Sequence, residues 1–161
     1  MDILEYAMQV EKEGEAHYRE LAEHSNNPGV SRILTELADS EVEHYQVFKA
    51  FKESTEIPEI DDAVLPNVKE IFSKMQADQT LAAGEDELAL YRSALIHEKK
   101  SQEFYQKQAE QAESPVLKVM LLKIAQEEAM HYKVLEGIID FLSAPAQWLE
   151  SAEWNHLSEE Y

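Results

Sequence analysis

Residues 28–54 read PGVSRILTELADSEVEHYQVFKAFKES. Val30, Leu34, Leu37, Phe48 and Phe51 recur at the three- and four-residue steps that line one face of a helix. Glu41 and His44 fill the two seam positions between Leu37 and Phe48. A stripe of this kind faces a helical core. A carboxylate and an imidazole one turn apart on it are costly to desolvate unless something compensates, and a divalent cation would. The rest of the chain is therefore read by asking which residues meet Glu41 and His44.

The preceding stretch, residues 2–25, has Asp2 as a helix N-cap and Glu5 three residues on, the spacing of a capping box. Its seam is Leu4, Ala7, Glu11, Gly14, Tyr18 and Leu21, so Glu11 occupies a core position. Gly14 beside it costs helix stability, which makes sense where something approaches closely. Ser25, Asn26 and Asn27 form a turn, and Pro28 opens the second helix. So short a turn makes helices one and two antiparallel neighbours. Counting at about 1.5 Å per residue from the turn puts Glu11, Glu41 and His44 at one level, near the middle of the pair.

On the other side, residues 55–85 break the pattern with Pro58, Pro66, Gly84 and the acidic cluster Glu56, Glu59, Asp61 and Asp62. Within them Val68, Ile71, Phe72 and Met75 predict one short amphipathic helix. A connector this long suits a crossover spanning a bundle. Helix three covers 86–112, with seam Tyr91, Ala94, Glu98, Ser101 and Tyr105. Ser114-Pro115 repeats the cap-then-proline start, and helix four covers 115–143. Its seam is Leu117, Leu121, Ile124, Glu128, His131, Leu135, Ile138 and Leu142.

The second half repeats the first at a constant, gapless offset of 87. Glu11 maps to Glu98, Tyr18 to Tyr105, Pro28 to Pro115, Glu41 to Glu128, His44 to His131 and Tyr45 to Tyr132. Between 7–48 and 94–135, 13 of 42 aligned positions are identical, and the polar seam residues are among them. This marks an internal duplication carrying a shared site. The chain is thus read as one all-α helical domain over 1–143, with repeat halves 1–54 and 86–143 joined by the connector 55–85. A short tail, 144–161, follows. Its Trp148, Leu149, Trp154, Leu157 and Tyr161 are too apolar for a free acidic end, so a helical tail packing on the bundle or on a second subunit is expected.

Composition narrows the function classes. The chain has 161 residues and no cysteine, which excludes disulfides, thiolate metal sites and thiol catalysis. Its formal charge of −19 repels phosphate backbones and anionic lipid, so neither nucleic acid nor membrane is the expected partner. No apolar run approaches the length of a membrane span, and the N-terminus lacks the features of a secretory leader. A cytoplasmic location is expected.

Four helices thus place Glu11, Glu41 with His44, Glu98, and Glu128 with His131 in their seams at one level. Four carboxylates held together repel unless cations balance them. One imidazole and two carboxylates per cation account for two divalent metals. Oxygen-rich ligation of this kind suits iron or manganese better than copper or structural zinc. One Glu plus one Glu-x-x-His, twice over, is the pattern of the di-iron and di-manganese carboxylate bundles. Glu127 lies off the seam at a spacing of four from His131 and is set aside. His97 reads as structural, and His17, His24 and His156 as surface or tail residues.

The stretches VEKEGEAHY with SEVEH, and HEKKSQEFY with EEAMH, resemble the ferritin-like superfamily, and within it the rubrerythrin-type di-iron proteins. The resemblance covers nearly the whole chain through residue 143. It implies a four-helix bundle with a long crossover between helices two and three, and two iron ions, with manganese as the alternative. Glu41 and Glu128 would bridge or nearly bridge the metals, His44 and His131 would each end one coordination sphere, and Glu11 and Glu98 would cap. Tyr18 and Tyr105 would hydrogen-bond the carboxylates and serve the chemistry. The activity implied is reduction of hydrogen peroxide or dioxygen by an oxidoreductase. Two departures stand out. Typical rubrerythrins carry a four-cysteine rubredoxin domain, which these residues lack, so electrons would come from a separate donor such as a rubredoxin. They also carry an extra carboxylate one turn after the helix-three ligand, where this chain has Ser101. A ferroxidase that oxidises Fe(II) is therefore the second reading, and a metal-free structural bundle the third. The aromatic tail and the internal repeat point to a homodimer.

Overall fold

The computed structural model describes residues 2–61, 64–75 and 83–143. It is all-α, with five helices and no strand among the described residues: α1 (Ile3–His24), α2 (Pro28–Glu53), α3 (Val64–Met75), α4 (Glu85–Gln111) and α5 (Pro115–Ser143). No helix there is long and apolar enough to cross a membrane. The chain divides into two compact units, Met1–Phe72 and Ser73–Tyr161, with the division falling inside α3.

In the first unit α1 and α2 form an antiparallel hairpin, as the short turn requires. The Asp2 side chain caps α1 by accepting the Glu5 N–H at 2.8 Å. That bond, ahead of the nearby Lys52 charge, holds the Asp2 carboxyl below its usual range. Asn27 caps α2 by accepting the Val30 N–H at 2.9 Å, with Pro28 at the first turn. A proline there gives up no intrahelical hydrogen bond. Contacts along the pair keep one register. Ser31 Oγ donates to the Ala22 carbonyl, Arg19 reaches Asp39 across the pair, and Lys52 pairs with Glu5 and Asp2 at the far end. The buried face of α1 is Ala7, Glu11, Gly14, Tyr18 and Leu21, the predicted seam less Leu4. Leu4 and Phe51 are half-buried because they sit in the terminal turns.

α2 ends at Ser54, which takes a left-handed conformation (φ 55°). The next residue's N–H returns to the Ala50 carbonyl at 2.9 Å. This six-to-one bond closes the helix in the manner usually reserved for glycine. Residues 55–61 then run back beside α2, and the Asp61 N–H donates to Glu43 Oε2 at 2.9 Å. The predicted connector helix is α3, and its buried residues are the expected Val68, Ile71, Phe72 and Met75.

In the second unit α4 and α5 form the matching hairpin. Its open end is fastened by the Ala83 N–H donating to the Leu142 carbonyl at 2.7 Å. Ser114 Oγ accepts the Leu117 N–H at 3.2 Å, so the cap-then-proline start is real in both halves. α4 begins at Glu85, one residue before the predicted start. Gly84 offers no side-chain cap there, and Glu85, Asp86 and Glu87 sit in the first turn, where the helix dipole favours negative charge. The predicted tail, 144–161, lies outside the described residues.

Candidate metal centre

Each hairpin gathers one set of three candidate ligands. In the first unit α1 supplies Glu11 and α2 supplies Glu41 and His44. All three are at most 1 % exposed, and one ligand atom from each lies within 4.8 Å of the others. His44 Nδ1 stands 3.4 Å from Glu11 Oε2. In the second unit α4 supplies Glu98 and α5 supplies Glu128 and His131, equally buried and within the same 4.8 Å limit. His131 Nδ1 stands 3.7 Å from Glu98 Oε1 and 4.0 Å from Glu128 Oε2. Each hairpin thus brings its three predicted residues together, and in both sets Nδ1 is the imidazole nitrogen turned toward the carboxylates.

Helix geometry makes this arrangement. Glu41 and His44, like Glu128 and His131, are three residues apart and share a face one turn high. The antiparallel partner brings a single glutamate to the same height. Glu11 Oε2 and Glu98 Oε2 are buried oxygens that accept no hydrogen bond from the described residues. Two carboxylates and one imidazole buried together form an oxygen-rich, hard donor set. That chemistry fits iron or manganese in the divalent state.

The surroundings of the two imidazoles differ. Ser40 Oγ lies 3.5 Å from His44 Nε2. If Nδ1 ligated a metal, the ring proton would sit on Nε2 and Ser40 Oγ would be its acceptor. At the equivalent place in α5 the chain has Glu127. The seam assignment puts this residue outside the core, yet it is only 6 % exposed, with Oε1 3.7 Å from Lys123 Nζ. The reason is that α5 buries far more than one stripe: Met130, Val134, Gly137 and Phe141 are buried beside the seam residues. Glu127 is still not among the described residues whose ligand atoms converge. Ser40 is the residue that sequence reasoning misses. Its position four before His44 is the available signal.

Tyr18 and Tyr105 are fully buried, each seven residues beyond its glutamate on the same seam. That is about 10 Å along the helix axis. Ser101 is buried and Ser101 Oγ donates to the His97 carbonyl at 3.0 Å. His97 is half-buried and His24 exposed, in keeping with the structural and surface roles predicted for them. His17 is half-buried, short of the full exposure expected, and His156 lies outside the described residues.

No curated protein and no solved structure matches the chain. One family does. Residues 2–139, which span both hairpins and every candidate ligand named above, match the family model described as rubrerythrin, and the chain belongs to the rubrerythrin family.

Proposed function

We propose that Glu11, Glu41, His44, Glu98, Glu128 and His131 hold two iron ions, and that the protein is an oxidoreductase reducing hydrogen peroxide to water with electrons from an external donor protein. The observation that supports this reading best is the doubled set of buried ligands, one imidazole and two carboxylates per hairpin. Bound iron supplies two electrons and Lewis-acid polarisation of the O–O bond. The residues of the chain do the rest. The glutamates balance the cationic charge and their burial excludes bulk water. Each histidine presents Nδ1 as a lone pair, and Ser40 holds His44 in the tautomer that leaves it free. Tyr18 and Tyr105, buried on the same seams as the glutamates, would pass the two protons that peroxide needs to leave as two waters. A homodimer is part of this proposal.

A second reading is favoured by one residue. Ser101 replaces the additional carboxylate of typical rubrerythrins, and its hydroxyl is engaged by the His97 carbonyl. A site short of that ligand suits oxidation of successive Fe(II) ions, a ferroxidase reaction. Anaerobic Fe(II) titration of metal-free protein, followed by peroxide or air, separates the readings. Two irons per chain, oxidised faster by peroxide than by air and recycled by added reductant, is the expected result. Fast oxidation by air that continues as more Fe(II) is added would favour the ferroxidase. Absence of stoichiometric binding would overturn both.

A further inference from the structure

The six candidate ligands are at most 1 % exposed, so a protein that delivers electrons cannot touch them. The electrons have to cross part of the chain, which has no cysteine to hold a second metal cluster on the way. The repeat shows which residues span that gap. Most pairs that are identical at the offset of 87 are buried. In the first hairpin those that reach solvent are Ala22, Glu23 and Pro28, at the turn, and Lys12 and Tyr45, at the level of the ligands. Lys12 directly follows Glu11, and Tyr45 directly follows His44. Their repeats, Lys99 and Tyr132, directly follow Glu98 and His131. Both lysines are exposed and both tyrosines are half-buried.

Helix geometry puts these residues where they are. Each step along a helix turns the side chain by about 100°, so the residue after a fully inward ligand stands at the edge of the buried face. Tyr45 therefore reaches from the wall of the site to the surface, and one peptide unit joins it to His44. Lys12 Nζ stands over its ring, 5.0 Å from the centre. A cation in that place is attracted to the electron-rich face of the ring, so α1 holds the α2 tyrosine in one orientation. An open cleft lined by Glu5, Met8, Gln9, Lys12 and Tyr45 gives access to the pair. Packing does not call for this arrangement, because the lysine is solvated and the tyrosine only half-covered. A pair with no core, cap or ligand duty, written at the same place in both halves, has a duty toward the site beneath it.

We propose that Tyr45 is the point at which electrons enter the first hairpin, that Lys12 positions its ring, and that Tyr132 is the corresponding point in the second. This rests on the peroxide reaction proposed above. One peroxide takes two electrons and two protons to become two waters. A one-electron redox protein supplies the electrons singly, so two encounters, each oxidising one donor by one electron, serve each peroxide. Each electron crosses the Tyr45 ring to His44, and the tyrosine is left unchanged.

The chain has no native cysteine, so a ruthenium polypyridyl photoreductant can be attached at Gln9→Cys, on the cleft beside Tyr45. A flash then injects one electron with no natural donor present. Iron binding and peroxide oxidation of the wild type are measured first, so that failure of the proposed reaction is told apart from failure of the entry point. In the oxidised, iron-loaded protein without peroxide, adding Tyr45→Leu should slow arrival of the electron at the iron at least about tenfold. Tyr45→Phe, which keeps the ring, should stay within about twofold. Iron stoichiometry should not change in either variant, and in metal-free protein the reduced dye should live equally long in all three. Equal rates with tyrosine and leucine would overturn the proposal. So would loss of iron from Tyr45→Leu, because the ring would then be a support for His44. A phenylalanine variant as slow as the leucine variant would overturn the ring as the path. The dye at Ile96→Cys with Tyr132→Leu applies the same test to the second hairpin.

Discussion

The two hairpins carry the same candidate ligands in different settings. Both set an imidazole Nδ1 against the glutamate of the partner helix, both start the second helix on a capped proline, and both bury a tyrosine two turns beyond that glutamate. Around these shared parts most other positions differ. The first hairpin is laced by Arg19 and Lys52 to acidic partners across the pair. The second has Gln106 where the first has Arg19, and Glu127 where the first has Ser40. What a site needs has been kept, together with core residues such as Ala7 and Ala94, Leu34 and Leu121, Ala38 and Ala125, and Val47 and Val134, while the ion pairs across the helices have not. The lesson is that binding geometry constrains fewer positions than packing, but constrains them harder.

That comparison breaks first at the ligands. His44→Ala and His131→Ala should each lose one iron per chain and weaken what remains, with peroxide-driven oxidation falling at least about a hundredfold in both. Anaerobic iron titration and stopped-flow oxidation measure this, and a large difference between the two variants would show that the hairpins are not functional equals. The caps come next. Asn27 is buried and Ser114 exposed. Asn27→Ala should therefore cost about 1–2 kcal/mol and Ser114→Ala about 0.5 kcal/mol in urea unfolding of the metal-free protein.

Most of what the hairpins share is legible in the amino-acid sequence alone. Helix ends are readable because Asp2, Asn27, Pro28, Ser114 and Pro115 are strong start signals. The six candidate ligands are readable because polar residues at Glu41, His44 and their repeats interrupt otherwise apolar seams. What escapes is anything that depends on how wide a face is buried. Glu127 is off the seam by sequence and inside by packing, since α5 is wrapped on more than one side. The Ser40 contact escapes because a hydroxyl in a helix has several acceptors within reach. Leu117, by contrast, is expected inside and is half-buried, because it stands in the first turn of α5.

Two smaller tests sharpen the contrast. Ser40→Ala should weaken Fe(II) binding by about threefold, well short of losing a ligand, because a 3.5 Å contact orients the ring without fixing it. Equal binding by wild type and variant in competition with a chelator would remove Ser40 from the site. Arg19 is held above its usual pKa chiefly by its hydrogen bond to Glu15, then by that to Asp39, yet its side chain is 42 % exposed. Arg19→Gln, which copies the second hairpin into the first, should cost less than about 0.5 kcal/mol, and most of that should vanish in high salt.

The constant offset of 87 has a consequence for how such a site can change. In a symmetric dimer of identical hairpins, every substitution appears twice and both metals feel it together. Once two copies are written into one chain, each can be edited alone. The serine beside one histidine and the glutamate at the matching place near the other are a difference that no pair of identical subunits is able to express.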